Sequence, residues 1–429
     1  MQIGMYELLC KAQEMIARKY PAILTDKSKR GEIKNYIAQF LYDTGYTVVG
    51  YSMKQVTDRL FCEMAEYSFL TAYLNDPNIE EININGWDDV ALTYLDGHIE
   101  KSDEQFFSPG HAVDIIKRLL LHSGVTIDNA VPRAEGHLPN NTRITVIKTP
   151  IVDEDRGIAA SIRMLHPQRV DRENLIRTES ITDEMLSFLE MCVCYGVSYV
   201  VAGRTSSGKT TLLNSLLGSL PDYKRIYTIE NGARELSLIK RDVSGRIKNN
   251  VVHTLSRPSD KKESNITQED LVVTSLRFDP DIICIGEMRD SEASSAIEAS
   301  STDHTVVSTV HGDGGRKAHQ RIAFLAQKKE TKNDVGILME QAALAFPVIV
   351  FVHKLANNAR KVMEITECVV HDNGELEYRV LYRYRIKRNL YHGGKFTIDT
   401  MSEELREKLL RGGVPGPLLE RFMGKEMTA

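Results

Sequence analysis

The stretch Gly203-Arg204-Thr205-Ser206-Ser207-Gly208-Lys209-Thr210 constrains the fold more than any other part of the chain. It reads G-x-x-x-x-G-K-T, the pattern of a phosphate-binding loop, which requires a buried strand before it and a helix after it. Both are present. Val197 to Ala202 is apolar apart from Ser198 and reads as a buried parallel strand. Leu212, Leu213, Leu216 and Leu217 then share one helical face. Glycines let backbone N–H groups curl around phosphate oxygens, and the helix N-terminus adds positive potential. The residues expected to contact a nucleotide are Gly203, Arg204, Thr205, Ser206, Ser207, Gly208, Lys209, Thr210 and Thr211. Lys209 is expected on the β- and γ-phosphates, and the Thr210 hydroxyl on Mg²⁺.

The chain has 429 residues, too many for one ordinary domain. Residues 1–75 read as a helical segment. Met5, Leu8, Leu9, Ala12, Met15 and Ile16 form one stripe, and Ile33, Tyr36, Ile37, Phe40 and Leu41 a second. Ser52 with Gln55 forms a capping box before a third helix. Residues 76–165 read as an α+β domain with a mainly antiparallel sheet. Asn85-Gly86 is expected to turn the chain, Asp96-Gly97 to close a two-residue hairpin, and Asn140-Asn141 to turn before a strand from Arg143. Ser108-Pro109 opens a helix that stops at Gly124. Residues 166–180 are polar, contain Pro167, and read as a linker. Residues 181–429 alternate helices with apolar strands at 225–229, 282–285, 305–309 and 348–352, the signature of a parallel α/β core. Near the end, Val380, Tyr382, Tyr384 and Ile386 alternate with Leu381, Arg383, Arg385 and Lys387, a half-buried strand with one basic face.

Composition narrows the function classes. A net charge of −5 and a pI near 6.2 argue against a dedicated nucleic-acid binder. The six cysteines show neither paired nor zinc-type spacing and are expected as free thiols in a reducing cytoplasm. The N-terminus lacks the pattern of a signal peptide, and no apolar run approaches the ~18–20 residues of a membrane span. The expected location is cytoplasmic.

Further acids and histidines surround the expected nucleotide site. Ile282-Ile283-Cys284-Ile285-Gly286-Glu287 places Glu287 at a strand's C-terminal end, where it would polarise an attacking water. Most phosphate-loop enzymes carry Asp-Glu at this point; here Gly286 replaces the Asp. Glu230 and Glu235 end another strand, where either could orient Mg²⁺ waters. His304 and His311 flank the 305–309 strand, roughly 20 Å or more apart at ~3.3 Å per residue, which disfavours a shared metal. His311, at the strand's C-terminal end, suits a γ-phosphate sensor better.

Four boxes in order, GRTSSGKT, TIENGAREL, IICIGEMRDSEA and DHTVVSTVHGD, resemble those of the type II/type IV secretion superfamily ATPases. The branch most similar is the one that builds Tad (Flp) pili. Leu74 to Gly86, Gly136 to Arg143, Val251 to Pro258 and Ile365-Thr366-Glu367 extend the resemblance over about residues 70–400. The resemblance implies a RecA-like motor domain, a homo-hexameric ring and ATP bound between the N-terminal and motor domains. Carried over residue by residue, it puts Lys209 and Thr210 on phosphate and Mg²⁺, Glu287 in catalysis, Glu230 and Glu235 in an acidic box, and His304 and His311 in a histidine box. Arg143 and Arg163 match arginines that approach the nucleotide from the N-terminal domain; Arg257, Arg277 and Arg289 are further charge partners. The departures are Asn231 for an Asp, Asp303-His304 for Gly-His, and Asp279 for a basic residue. The implied function is a motor for pilus assembly or protein secretion, bound to the inner face of the cell membrane by an integral platform protein. A nucleotide-gated scaffold with little turnover and a nucleic-acid translocase are the alternative readings.

Overall fold

The computed structural model describes residues 1–19, 30–138, 142–164, 171–232, 234–257, 264–387, 390–398 and 400–422. The chain divides into two compact units, Met1–His166 and Pro167–Ala429.

The first unit begins with helices α1 (Met5–Lys19), α2 (Arg30–Thr44) and α3 (Met53–Ala65). Each presents one apolar stripe, and Leu8, Ile16, Ile37, Leu41, Val56 and Leu60 meet in a common core. Ser52 opens α3 through the expected capping box with Gln55. After the short helix α4 (Leu70–Leu74) come β1 (Ile79–Gly86), β2 (Asp89–Tyr94) and β3 (Ile99–Lys101). Helix α5 (Pro109–Leu120), β4 (Arg133–Leu138), β5 (Thr142–Lys148) and β6 (Ile158–Arg163) complete the unit. The strands form an antiparallel sheet in the order β3-β2-β1-β6-β5-β4. Its buried face, including Ile82, Ile144, Val146 and Ile162, packs with Ile115, Ile116 and Leu119 of α5.

Two turns differ from the expectation. Ile84 pairs with Val90 and Gly86 with Asp89, so the chain reverses at Trp87-Asp88 rather than at Asn85-Gly86. Burying Ile84 and Val90 together fixes that register, and the turn must fit what remains. At the second hairpin, Tyr94 N bonds His98 O and Gly97 N bonds Tyr94 O. The loop is therefore three residues, Leu95-Asp96-Gly97, with Gly97 at φ +87° supplying the left-handed step. The Asn140-Asn141 turn lies outside the described residues.

A buried carboxylate joins the helices to the sheet-bearing part of this unit. Glu63 of α3 lies 2.9 Å from Arg59 Nε, accepts from Ser68 Oγ at 2.7 Å and faces His111 Nε2 of α5 at 3.1 Å. Arg118 of α5 donates back to the carbonyls of Glu63 and Glu66 at the end of α3. Cations suit a helix C-terminus, where carbonyls lack partners.

The second unit begins with α6 (Arg172–Arg177), inside the stretch expected as a linker. Asp171 caps this helix and Leu175 enters the core, which neither residue could do in an extended spacer. Helix α7 (Asp183–Cys194), capped by Thr182, leads to β7 (Tyr199–Gly203) and α8 (Lys209–Gly218). Then follow β8 (Arg225–Glu230), β9 (Asn250–Leu255), α9 (Gln268–Ser275), β10 (Ile282–Ile285), α10 (Glu292–Ser301), β11 (Thr305–Val310), α11 (Gly315–Gln327), α12 (Val335–Ala345) and β12 (Val348–Lys354). Antiparallel β13 (Arg360–Val370), β14 (Leu376–Lys387) and β15 (Leu390–Ile398) precede α13 (Glu403–Arg411) and α14 (Gly416–Glu420). Among the described residues the sheet runs β15-β14-β13-β12-β7-β11-β10-β8-β9. From β12 to β9 every neighbouring pair is parallel. Strands β7, β10 and β11 are buried along their whole length, because helices cover both faces. Helices α7, α8 and α13 cover one face, and α9 to α12 the other. This is a RecA-like doubly wound core: the phosphate-loop strand β7 and the Glu287-bearing strand β10 are separated by β11.

Strand β14 departs from strict alternation. Ile365 pairs with Tyr382 and Thr366 with Val380, so Leu381 is an extra residue in a bulge. It turns inward and is buried beside Tyr382, rather than sharing a face with Arg383 and Arg385.

Glu63→Ala should leave His111 and Ser68 without their buried carboxylate and Arg59 with Glu104 alone, and lower the stability of the first unit by about 3 kcal/mol. Thermal unfolding followed by circular dichroism measures the loss. An unchanged melting profile would mean that the three partners find water instead.

Candidate functional site

Parallel strands that share helices on both faces end on the same edge, and the sequence places its chemistry there. The phosphate loop follows β7, which lies in the sheet between β12 and β11. Ser206 at φ +60° and Gly208 at φ +93° bend the loop. A side chain at position 208 would be strained by that φ and would also come within 3.2 Å of Arg360 Cδ. Gly208 is the N-cap of α8 without any side-chain bond, so the first turn keeps its N–H groups for another acceptor. Lys209 Nζ donates to the carbonyls of Gly203 and Arg204 at 3.1 and 3.0 Å. Thr210 and Thr211 are half-buried on the first turn of α8. Ser207 Oγ is buried and has no hydrogen-bond partner in the fold. A loop of backbone donors, a buried ammonium and an unsatisfied hydroxyl together match the chemistry of a phosphate chain.

Glu287 stands at the end of β10. Its Oε2 accepts from Arg289 Nε at 2.7 Å and lies 2.5 Å from Arg289 Nη2. Its Oε1 comes within 2.8 Å of His311 Nε2 but without hydrogen-bond geometry, and is otherwise buried without a partner. That oxygen keeps an unused hydrogen-bond acceptor site. Burial and the Lys209 ammonium hold His311 below the ordinary histidine range, although Glu287 pulls the other way. The turn after Glu287 is held by Glu292, whose Oε1 accepts from the N–H groups of Arg289 and Asp290. His304 lies at the opposite end of β11, beside Thr302, away from this edge.

Glu230 and Gly286 lie close together. Glu230 is almost fully buried at the end of β8, and a Cβ at position 286 would approach its Cγ to 3.2 Å. A side chain at 286 would crowd the stem of Glu230, which would have to shift by a few tenths of an ångström to admit it. Glu230 Oε1 accepts from the N–H groups of Glu235 and Leu236 at 2.7 and 2.9 Å, while Oε2 has no partner. Burial pushes this carboxyl up to about 7 despite those two backbone donors. The side chain of Glu235 is half-buried, and the side chain of Asn231 accepts from Ser256 Oγ. Among the described residues no three His, Cys, Asp or Glu side chains form a metal cluster. The donor set fits a cation held partly by substrate and water, as Mg²⁺ usually is.

Arg143 and Arg163 belong to the first unit, where they are direct cross-strand partners on β5 and β6. Glu135 and Glu80 lie 3.4 and 3.9 Å from them respectively. Like charges directly opposite one another destabilise a sheet unless an anion compensates them. Arg360 is a site residue that sequence reasoning missed. It starts β13, donates from Nε to Ser206 O at 3.1 Å and covers Gly208. Its neighbour Lys361 is buried and donates to the carbonyls of Thr178 and Glu179. Nothing local marks either residue, since both contacts span more than 150 positions of chain.

A family profile described as "Type II/IV secretion system protein" matches residues 66–386. An uncharacterized protein of Methanocaldococcus jannaschii is 29% identical over 252 residues, 58% of this chain and 43% of that one. The type IV secretion system protein PtlH of Bordetella pertussis is 34% identical over 143 residues, 33% of this chain and 40% of that one. The chain thus spans less than half the length of these two relatives. Of solved structures, the ATPase DotB of Legionella pneumophila is similar over 82% of this chain and 84% of that chain, at 18% identity and a TM-score of 0.47.

Glu230 has a consequence for stability. Its folded carboxyl titrates near 7 and an ordinary one near 4.5, so between those values the folded protein holds a proton the unfolded chain has lost. The stabilising contribution is complete below pH 4.5 and is lost as pH rises through 7. Glu230→Gln removes this slope, and should gain about 3 kcal/mol relative to wild type between pH 5 and 8. Denaturant unfolding of both proteins across that range is the measurement; parallel curves would mean Glu230 is ionised throughout.

Proposed function

The chain belongs to the type II/IV secretion system protein family, and from that premise we propose that it is an ATP-hydrolysing motor for pilus assembly or protein secretion across a membrane. The observation that carries this reading is Glu287 Oε1, a buried carboxylate oxygen without a hydrogen-bond partner, on the same sheet edge as the phosphate loop. Lys209 and the α8 N-terminus bind and orient the β- and γ-phosphates. Glu287 takes the proton of the attacking water as its oxygen bonds the γ-phosphorus and the bond to the β-phosphate oxygen breaks, leaving ADP and inorganic phosphate. Arg289 holds Glu287 in place through Oε2, and His311 beside it is the proposed γ-phosphate sensor. Bound through Thr210 and through waters ordered by Glu230 and Glu235, Mg²⁺ would supply charge neutralisation on the phosphates.

The same reading assigns Arg143 and Arg163 to the γ-phosphate from the first unit, and a homo-hexamer as the working ring. The Tad (Flp) branch is the proposed subfamily. Among the described residues no helix is long and apolar enough to cross a membrane. In this reading, force on a pilus or secreted chain passes through an integral membrane platform protein, with the motor at the membrane's inner, cytoplasmic face. Helices α1 to α3 are the proposed docking module, because the phosphate chemistry uses none of their residues.

Lys209→Ala should abolish nucleotide binding. Glu287→Gln should still bind ATP but lose hydrolysis by about 10²–10⁴-fold, the range for a missing general base. Multiple-turnover phosphate production and equilibrium binding of a fluorescent ATP analogue separate the two. Wild-type turnover in Glu287→Gln would remove that residue from its role, and no turnover in the wild type would favour a nucleotide-gated scaffold.

Docking is tested without truncation, since removing α3 would also strand His111 and Arg118. Replacing the exposed apolar side chains of Tyr42, Val49 and Tyr51 with Asp should reduce membrane co-fractionation while leaving ATPase activity within about twofold, as expected for surface changes. Unchanged fractionation would move the docking surface elsewhere.

A further inference from the structure

A cavity of about 510 Å³ opens beside the phosphate loop, on the face of the sheet covered by α11. Its wall includes Arg204 and Thr205 of the loop, His311 at the end of β11, and Lys317, Arg321 and Phe324 of α11. Lys317 and Arg321 are four apart on α11 and so share one helical face. The single acid in the lining, Asp313, lies 3.2 Å from Lys317. Arg204 and Arg321 are exposed, and the lining holds no second acid to neutralise them. Three cations, Lys209, Arg289 and Arg321, act on His311 against the one carboxylate of Glu287, so cationic groups predominate at the inner end of the cavity. That inner end is also where Glu287 meets His311.

We propose that this cavity binds inorganic phosphate and is the route by which cleaved phosphate leaves the site, with Arg321 as the residue that draws it out. The inference rests on the ATPase reading above. The γ-phosphate is cleaved next to Glu287 and His311. With ADP still on α8, retreat along the phosphate loop is closed to the freed anion. The cavity offers the other way out, past His311 to guanidinium and ammonium groups set in series. Arginine suits the task because its planar fork takes two phosphate oxygens at once and stays charged at any working pH. Bulk water beyond Arg321 weakens the hold, so the site passes phosphate on instead of trapping it. The same cations could instead serve the γ-phosphate while it is still part of ATP, which would make Arg321 a catalytic residue; the experiment separates the two.

The full-length chain is loaded with ADP and Mg²⁺ and titrated with inorganic phosphate by calorimetry. Arg321→Ala should weaken phosphate binding about tenfold, the loss of one charge-assisted pair, with ADP affinity unchanged. Arg321→Lys should recover most of the loss. In single turnovers, cleavage measured by chemical quench should be unchanged in Arg321→Ala, while release read by a fluorescent phosphate sensor lags behind it. Phosphate affinity and release equal to wild type would overturn the proposal. So would slowed cleavage with release keeping pace, since Arg321 would then act on bound ATP. Arg321 is exposed, so its replacement should not disturb folding. If ADP does not bind, the function proposed above fails, and the phosphate titration on the ADP-free chain still reads the cavity: binding lost in Arg321→Ala supports the site, and binding indifferent to Arg321 overturns it.

Discussion

Parallel strands cannot be joined by tight turns, and everything at the candidate site follows from that. Each crossover must carry a helix over a face of the sheet, so β7, β8, β10, β11 and β12 all end on one edge. The phosphate loop, Glu230, Glu287 and His311 come from four different strand ends, yet lie together because their strands point the same way. Burial on both faces leaves these strands no freedom to slide, since β7, β10 and β11 expose no residue. Side chains at their ends are therefore held by the core as much as by one another. Gly286 shows how tight the fit is: a Cβ there would come within 3.2 Å of Glu230 Cγ on the neighbouring strand.

Features whose cause is local were legible in the sequence. The phosphate loop, the Ser52–Gln55 capping box and the Ser108-Pro109 helix start each depend on residues within a few positions. The strands of the parallel core were legible for a similar reason, because burial on both faces favours apolar and β-branched residues along the whole strand. Where two neighbouring demands competed, the pattern misled. Asn85-Gly86 is a strong turn signal, but the burial of Ile84 against Val90 set the register and moved the turn to Trp87-Asp88. Leu381 continued an alternation by eye, but a bulge turned it inward. The 166–180 stretch is polar enough to pass for a spacer, and only Leu175 betrays the helix that docks there.

At the site, residue identities were legible but their states were not. Glu230 reads as an acid at a strand end, but its burial, its unsatisfied oxygen and its raised carboxyl depend on Gly286 and on the backbone at 235–236. Arg360 was invisible because it meets the phosphate loop from a strand more than 150 residues later. Two units complicate the picture further. Arg143 and Arg163 sit opposite each other on their own sheet, and their charge can be read from sequence while their adjacency cannot.

Arg360 and Lys361 are consecutive, and successive side chains of a strand point to opposite faces. One grips the rim of the phosphate loop; the other, sealed from water, grips the chain at 178–179, shortly after it enters this unit. The two grips share a single peptide as their pivot. The first peptide of β13 is thus a yoke that ties the rim of the phosphate loop to the chain at 178–179.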